Sequence, residues 1–421
     1  MSLPVTVTFM LADWVAKGLA DGTFERVGGV IREVASKQVV TWLRDMPNNP
    51  TVPTPNSSSN NLLNLIFSGT SLVASGANAA VTGKGFADVN GHLGGIENQL
   101  QELGHNLQLT QGILQVTTAA SILNLGVSVM GFAVIAQRLR ELEQRLQKAQ
   151  ELLTKINRKI DLSFYANFRA AIELAINAFT MTKPENRRSS ALQAINRFLE
   201  AEHIYTEFTD IEISQKSQIA DEYLLTLSLA YLAEARCYLE LEEHETALRR
   251  FQEGARVIRS RIQKYVDILL TSNPAVYLHP QFKGKIDLRR ITRIYQWIDS
   301  NLDENAVFDM HRKNLLSLFA DPNKWVESLP AAIWDTNIDW VGKAFWDDPK
   351  PQIYARLPKT LTLLESMIET NCRFESYQTE IQAISQLGIS FHEWLKLSPS
   401  TETKPEGAEL MFIIPATPLQ I

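Results

Sequence analysis

ILQVTTAASILNLGVSVMGFAVIAQRLRELEQRLQKAQELLTKINRKI, residues Ile113–Ile160, joins an apolar run directly to an amphipathic one. Its first half belongs to a longer run, Leu103–Gln137, that contains no Asp, Glu, Lys or Arg. The densest part, Ile113–Ala136, would make a helix of about 36 Å, against a hydrocarbon core of about 30 Å. From Leu125 the positions Leu125, Ser128, Phe132, Ile135, Leu139, Leu142, Leu146, Ala149, Leu153, Ile156 and Ile160 follow at alternating intervals of three and four. That is the spacing of a bundle or coiled-coil seam. One long unbroken helix is expected, apolar at first and amphipathic afterwards, and such a helix suits insertion or hidden packing better than catalysis.

The apolar half has a sidedness of its own. At about 100° per residue, Thr117, Ser121, Asn124, Ser128 and Gly131 fall on one small, polar stripe, and Ile135, Leu142, Leu146 and Leu153 continue that face. Small residues let helix backbones approach closely, and Ser, Thr and Asn bond across helices inside a membrane. The candidate inserting residues are Ile113, Leu114, Val116, Ile122, Leu123, Leu125, Val127, Val129, Met130, Phe132, Val134 and Ile135. The alternative is a central helix permanently buried in a soluble bundle. Leu139, Leu142, Leu146, Leu153, Ile156 and Ile160 form the seam, which serves either self-association or the monomer's own core.

The chain has 421 residues, long enough for two or three packed units, and its net charge of −6 offers no general excess of cations for phosphates, so no nucleic-acid partner is expected. Arg138, Arg140, Arg145, Lys148, Lys155, Arg158 and Lys159 outnumber the acids just after the apolar segment. If that segment spans a bilayer, this end is the cytoplasmic one. The two cysteines, Cys237 and Cys372, build no disulfide framework, and Met1–Met10 has no basic leader. The protein is therefore expected to be cytoplasmic as synthesised and membrane-associated only after activation.

The expected class is mainly α: an elongated bundle of very long helices with a small N-terminal α+β element. Residues 1–45 form that element, with a helix over Phe9–Leu19 and β runs at Val27–Val34 and Val39–Leu43. Residues 46–61, with Pro47, Pro50, Pro53 and Pro55, read as a linker. Residues 62–182 hold the apolar segments and the long helix, ended by Pro184. Residues 183–320 read as a helical bundle, with helices at 187–208, 214–242, 245–271 and 287–302. Residues 321–358 are a Trp-rich connection containing Trp325, Trp334, Trp340 and Trp346. Residues 359–396 return to a long helix, with Leu364, Met367, Phe374, Ile381, Ile384, Phe391 and Trp394 at helical spacing, and its natural partner is the helix of 139–180. Residues 397–421 form a loosely held tail.

Chemistry is not written in any motif. The seven histidines are scattered, His392-Glu393 lacks a second histidine four positions on, and Gly83-Lys84-Gly85 lacks the spacing of a phosphate loop. No catalytic residue, metal or cofactor is assigned, and the chain is read as a non-enzyme.

Two resemblances follow from these residues. Tyr231, Ala235, Tyr238, Ala247, Phe251 and Gly254, with Glu243-His244 at the turn, resemble a tetratricopeptide helix pair over some thirty residues, departing from it where Ala235 replaces a glycine. This pair implies a groove lined by Tyr231, Tyr238 and Phe251 for a protein partner. The layout of residues 60–180 and 359–396 resembles the α-helical pore-forming toxins of the cytolysin A type. That resemblance implies oligomerisation in a lipid bilayer by an effector or toxin-like protein. The competing expectation is an intracellular helical scaffold.

Overall fold

A computed structural model describes residues 5–45 (except 12), 107–110, 113–118, single positions within 135–147, most of 163–312, 329, 350–396 and 410–413. Helices dominate, and a seven-stranded sheet is packed against them. In chain order the first elements are β1 (Val5–Met10), α1 (Asp13–Asp21), β2 (Phe24–Val27), β3 (Val30–Glu33), β4 (Val39–Asp45), β5 (Leu107–Thr110) and β6 (Ile113–Thr118). After them come α2 (Ser163–Thr180), α3 (Pro184–Ser214), α4 (Ala220–Glu240), α5 (His244–Thr271), α6 (Leu288–Ile298), α7 (Glu304–Arg312), α8 (Lys350–Leu387), α9 (Phe391–Lys396) and β7 (Leu410–Ile413).

The mainly α class with a small α+β element is what the structure has. The sheet, however, reaches well beyond residues 1–45. Its order is β2-β3-β4-β7-β1-β6-β5, so the tail strand β7 lies in the middle, antiparallel to β4 and parallel to β1. A short ribbon is marginal on its own and its edges are open to other chains. Here β7 joins β4 to β1, and the β5–β6 hairpin extends the sheet beyond β1. Leu410–Ile413 of the tail is thus a central strand and not a loose end.

Two helical expectations become strands. Phe9 and Met10 belong to β1, whose sequence VTVTFM alternates β-branched residues, and α1 starts only at Asp13. Ile113–Thr118, the start of the expected spanning helix, is strand β6, antiparallel to β1 from Met10↔Ile113 to Val5↔Thr118. The segment ILQVTT is itself rich in Ile, Val and Thr, and Thr110 pairs with Ile113 across a connection of only Gln111 and Gly112. A two-residue connection containing glycine is a hairpin signal. Helical periodicity read across 113–136 overlooked this local β preference.

The helices form one core. Pro184 occupies the first turn of α3, where its missing N–H costs nothing, so it starts a helix as well as closing the region before it. Between α2 and α3, Phe168 meets Phe198 edge-on at 5.7 Å and Tyr165 meets Tyr205 at 5.3 Å. The Tyr165 hydroxyl shares a hydrogen bond with Thr226 on α4. Aromatic pairs of this kind add about 0.5–1.5 kcal/mol beyond their buried area. Glu240 ends α4, the turn residue Glu242 adopts φ 59°, and α5 folds back as the second arm of a tight hairpin.

The long C-terminal helix begins at Lys350, runs through Pro358 and stops at Leu387, where Gly388 takes a left-handed φ of 64°. The apolar positions expected to be its inner face, Leu364, Met367, Phe374, Ile381 and Ile384, are buried, as are Phe391 and Trp394 in the separate helix α9. Among the described residues its main partner is α5: Phe374 and Tyr377 pack on Phe251 at 5.6 and 5.4 Å, and Asn371 Nδ2 donates to the Ala255 carbonyl. Most of the expected partner stretch before α2 lies outside the described residues. Gly254 makes that approach possible, since a Cβ there would stand 2.9 Å from the Tyr231 ring and 3.0 Å from the Phe374 ring. Trp394 on α9 meets Trp42 on β4 edge-on at 5.5 Å, which fastens the sheet to the bundle.

Candidate functional site

The candidate inserting segment is held at both ends by ordered structure. At its start Ile113, Leu114, Val116 and Thr117 lie in β6, in register with Met10, Phe9, Val7 and Thr6 of β1. At its end Ile135 is helical and 1% exposed. Ile122, Leu123, Leu125, Val127, Val129, Met130, Phe132 and Val134, with the stripe residues Ser121, Asn124, Ser128 and Gly131, lie outside the described residues. The unbroken helix from Leu125 to Ile160 lies largely outside them too. No helix among the described residues is long and apolar enough to cross a membrane.

The seam residues Leu139, Leu142 and Leu146 are helical and buried in the chain's own core. Leu153, Ile156 and Ile160 lie outside the described residues. Glu143, on the same helical stretch, accepts a hydrogen bond from Arg169 of α2 at 2.7 Å, which locates the stretch beside α2. The described part of the seam therefore holds the monomer together, and an assembly using it would first have to uncover it.

The expected partner groove is filled from within. The α4–α5 hairpin is present, but Tyr231 and Phe251 are buried and Tyr238 is only partly exposed. Helix α8 covers Phe251, with Phe374 and Tyr377 against its ring. Of the residues that give the tetratricopeptide-like spacing, Phe251 and Gly254 pack directly against α8. They do not form an open binding surface.

Two charged clusters escaped sequence reading. Arg26 at the β2 turn makes a double hydrogen bond to Glu369 of α8, and Arg373 donates to the same carboxylate at 3.2 Å. Burial alone pushes the Glu369 carboxyl up, but the Arg26 and Arg373 charges overcome this and hold it at about 2. The second cluster joins Glu202, Glu234 and Glu253 to Arg250 at the junction of α3, α4 and α5. A legible signal existed for both, namely a charge placed on an otherwise apolar helix face, such as Glu202 between Phe198 and Tyr205. Periodicity alone could not say which charge faced which. Among the described residues no group of His, Cys, Asp and Glu is arranged to hold a metal ion.

Compared with known proteins, the chain matches no family model, no curated protein and no solved structure.

Proposed function

We propose that this protein acts on lipid bilayers, inserting an uncharged segment from an otherwise stably folded helical body and assembling with further copies in the membrane. The observation behind this reading is the run Leu103–Gln137 without Asp, Glu, Lys or Arg, followed at once by Arg138 and Arg140. The inserting unit proposed is 119–137, shorter than the helix 113–136 that the sequence alone suggests, because 113–118 already pairs with β1. As a helix 119–137 would measure about 28 Å, close to the thickness of the hydrocarbon core. Strand β6 would stay in the sheet as the anchor, and the cations after Gln137 would stay on the cytoplasmic side. Ile135 would have to leave the core, so a trigger is needed.

Flotation of the full-length chain with liposomes, and release of a trapped dye, test this with and without mild acid or limited proteolysis. Binding with leakage under one of these conditions is the expected result. A chain that never floats, whatever the lipid or trigger, would favour the competing proposal of a permanently folded scaffold. That scaffold would have to bind its partner elsewhere than the groove filled by α8.

A further inference from the structure

The junction of α3, α4 and α5 holds more buried carboxylate than one guanidinium can neutralise. Glu202 and Glu234 are 4% and 0% exposed. Arg250 donates from Nε to Glu234 Oε2 at 2.5 Å, from Nη1 to Glu253 Oε2 at 2.5 Å, and from Nη2 to Glu202 Oε2. The remaining oxygens, Glu202 Oε1 and Glu234 Oε1, are buried and receive no hydrogen bond from any donor among the described residues. Both carboxyl groups nevertheless accept from the one Arg250 guanidinium, which gathers them at a single buried site. An ionised carboxylate only accepts, so a hydrogen bond between the two would need a proton on one of them. Two ionised carboxylates sharing a buried site also repel strongly.

We infer that the folded chain retains one proton between Glu202 and Glu234 at neutral pH, as an O–H on one carboxyl group bonded to an oxygen of the other. With that proton Glu202, Glu234 and Arg250 together become neutral, and the remaining negative charge sits on the more exposed Glu253. The other groups acting on the pair are Tyr231 and Tyr238 of α4. Arg249 of α5 acts on Tyr238, and from α8 Tyr377 packs on Phe251, next to Arg250. The Arg250 guanidinium also lies 5.3 Å from the centre of the Tyr231 ring. Burial first, and the Glu234 charge next, push the Glu202 carboxyl up to about 10 against the pull of Arg250. Burial likewise raises Glu234.

The unfolded carboxyl has its ordinary value of 4.5, so the folded chain binds one proton more than the unfolded chain from there upward. The contribution of the pair to stability is whole below that value and is lost as pH rises toward 10. The junction is thus an alkaline-labile lock. Infrared spectra of the full-length chain in heavy water at neutral pH should contain the carbonyl band of a protonated carboxylic acid, reduced in Glu202→Gln and Glu234→Gln. Between about pH 6 and 9 the wild-type unfolding constant should rise about tenfold per pH unit more steeply than in either variant, about 1.4 kcal/mol per unit. Equal slopes, or a band of unchanged intensity in folded variants, would overturn the inference. Should neither variant fold, a wild-type unfolding constant flat over this pH range would overturn it alone.

Discussion

Arg26 and Glu369, 343 positions apart in the chain, face each other as a two-bond ion pair: Nη1 and Nη2 of the guanidinium each stand 3.0 Å from one oxygen of the carboxylate. The pair fastens the β2–β3 turn to α8, and Arg26 Nη1 also donates to the Gly28 carbonyl at 2.7 Å. Both partners are largely buried, so each charge depends on the other for what water would have supplied. Arg26→Met should therefore cost about 3–5 kcal/mol in a denaturant titration, because it strands a buried carboxylate beside Arg373 alone. Because Glu369 is held at about 2, its stabilisation is present above the ordinary value of 4.5 and fades as pH falls toward 2. Glu369→Gln should flatten that acid limb, and an unchanged limb would show that the pair is electrostatically idle.

The turn beside this pair needs glycine. Gly28 has φ 55°, and a Cβ on it would stand 2.7 Å from the Cys372 carbonyl oxygen and 2.9 Å from the Arg373 Cα, both backbone atoms of α8. Gly22 has φ 81° with open space around it. Gly22→Ala should thus lose about 1 kcal/mol from conformational strain. Gly28→Ala should lose clearly more, since α8 must also move. Melting temperatures of the two variants check the order, and equal losses would mean that the contact with α8 yields freely.

Much of the bundle was legible because burial at every third or fourth position leaves a period in the sequence. Leu364, Met367, Phe374, Ile381 and Ile384 show it in α8, and Leu139, Leu142 and Leu146 show it in the seam. The sheet was only half legible. The β run at Val39–Leu43 announced β4, which pairs Thr41 with Ile31 of β3. The order that places β7 between β4 and β1 joins residues some 370 to 400 positions apart, and no local pattern encodes such pairing. The same holds for Tyr231 and Phe251: their spacing announces a packed face, but whether a foreign helix or the chain's own α8 covers it is a tertiary fact.

The seam supplies a third prediction. Leu142 and Leu146 are 1% and 0% exposed within the monomer. Leu142→Ala and Leu146→Ala should each lose about 2–5 kcal/mol, and the Asp variants more, through buried charge. Thermal melting and light scattering together distinguish the roles. A lower melting point with unchanged mass is expected, whereas a fully stable variant that only loses self-association would show that these leucines serve assembly.

The last prediction concerns which residues enter a bilayer. Val129 lies near the middle of 119–137, and at about 100° per residue it points away from the stripe that contains Ser128. A lysine there would meet hydrocarbon at a cost of about 2.5–3.5 kcal/mol, whereas Ser128→Thr keeps a polar residue where protein or water can satisfy it. Val129→Lys should abolish dye release from liposomes while Ser128→Thr preserves it, with melting curves confirming that both are folded. Strand β6 adds a second arm. Val7 and Val116 are direct partners in the β1–β6 ladder, and cross-strand Cα separations of about 4.5–5.5 Å fall in the range that a disulfide spans. A Val7→Cys, Val116→Cys protein, oxidised and checked by thiol titration, locks β6 to β1. Leakage that survives the lock assigns insertion to 119–137. Leakage that returns only on reduction means that β6 must leave the sheet and that the longer segment 113–136 is the one that enters the membrane.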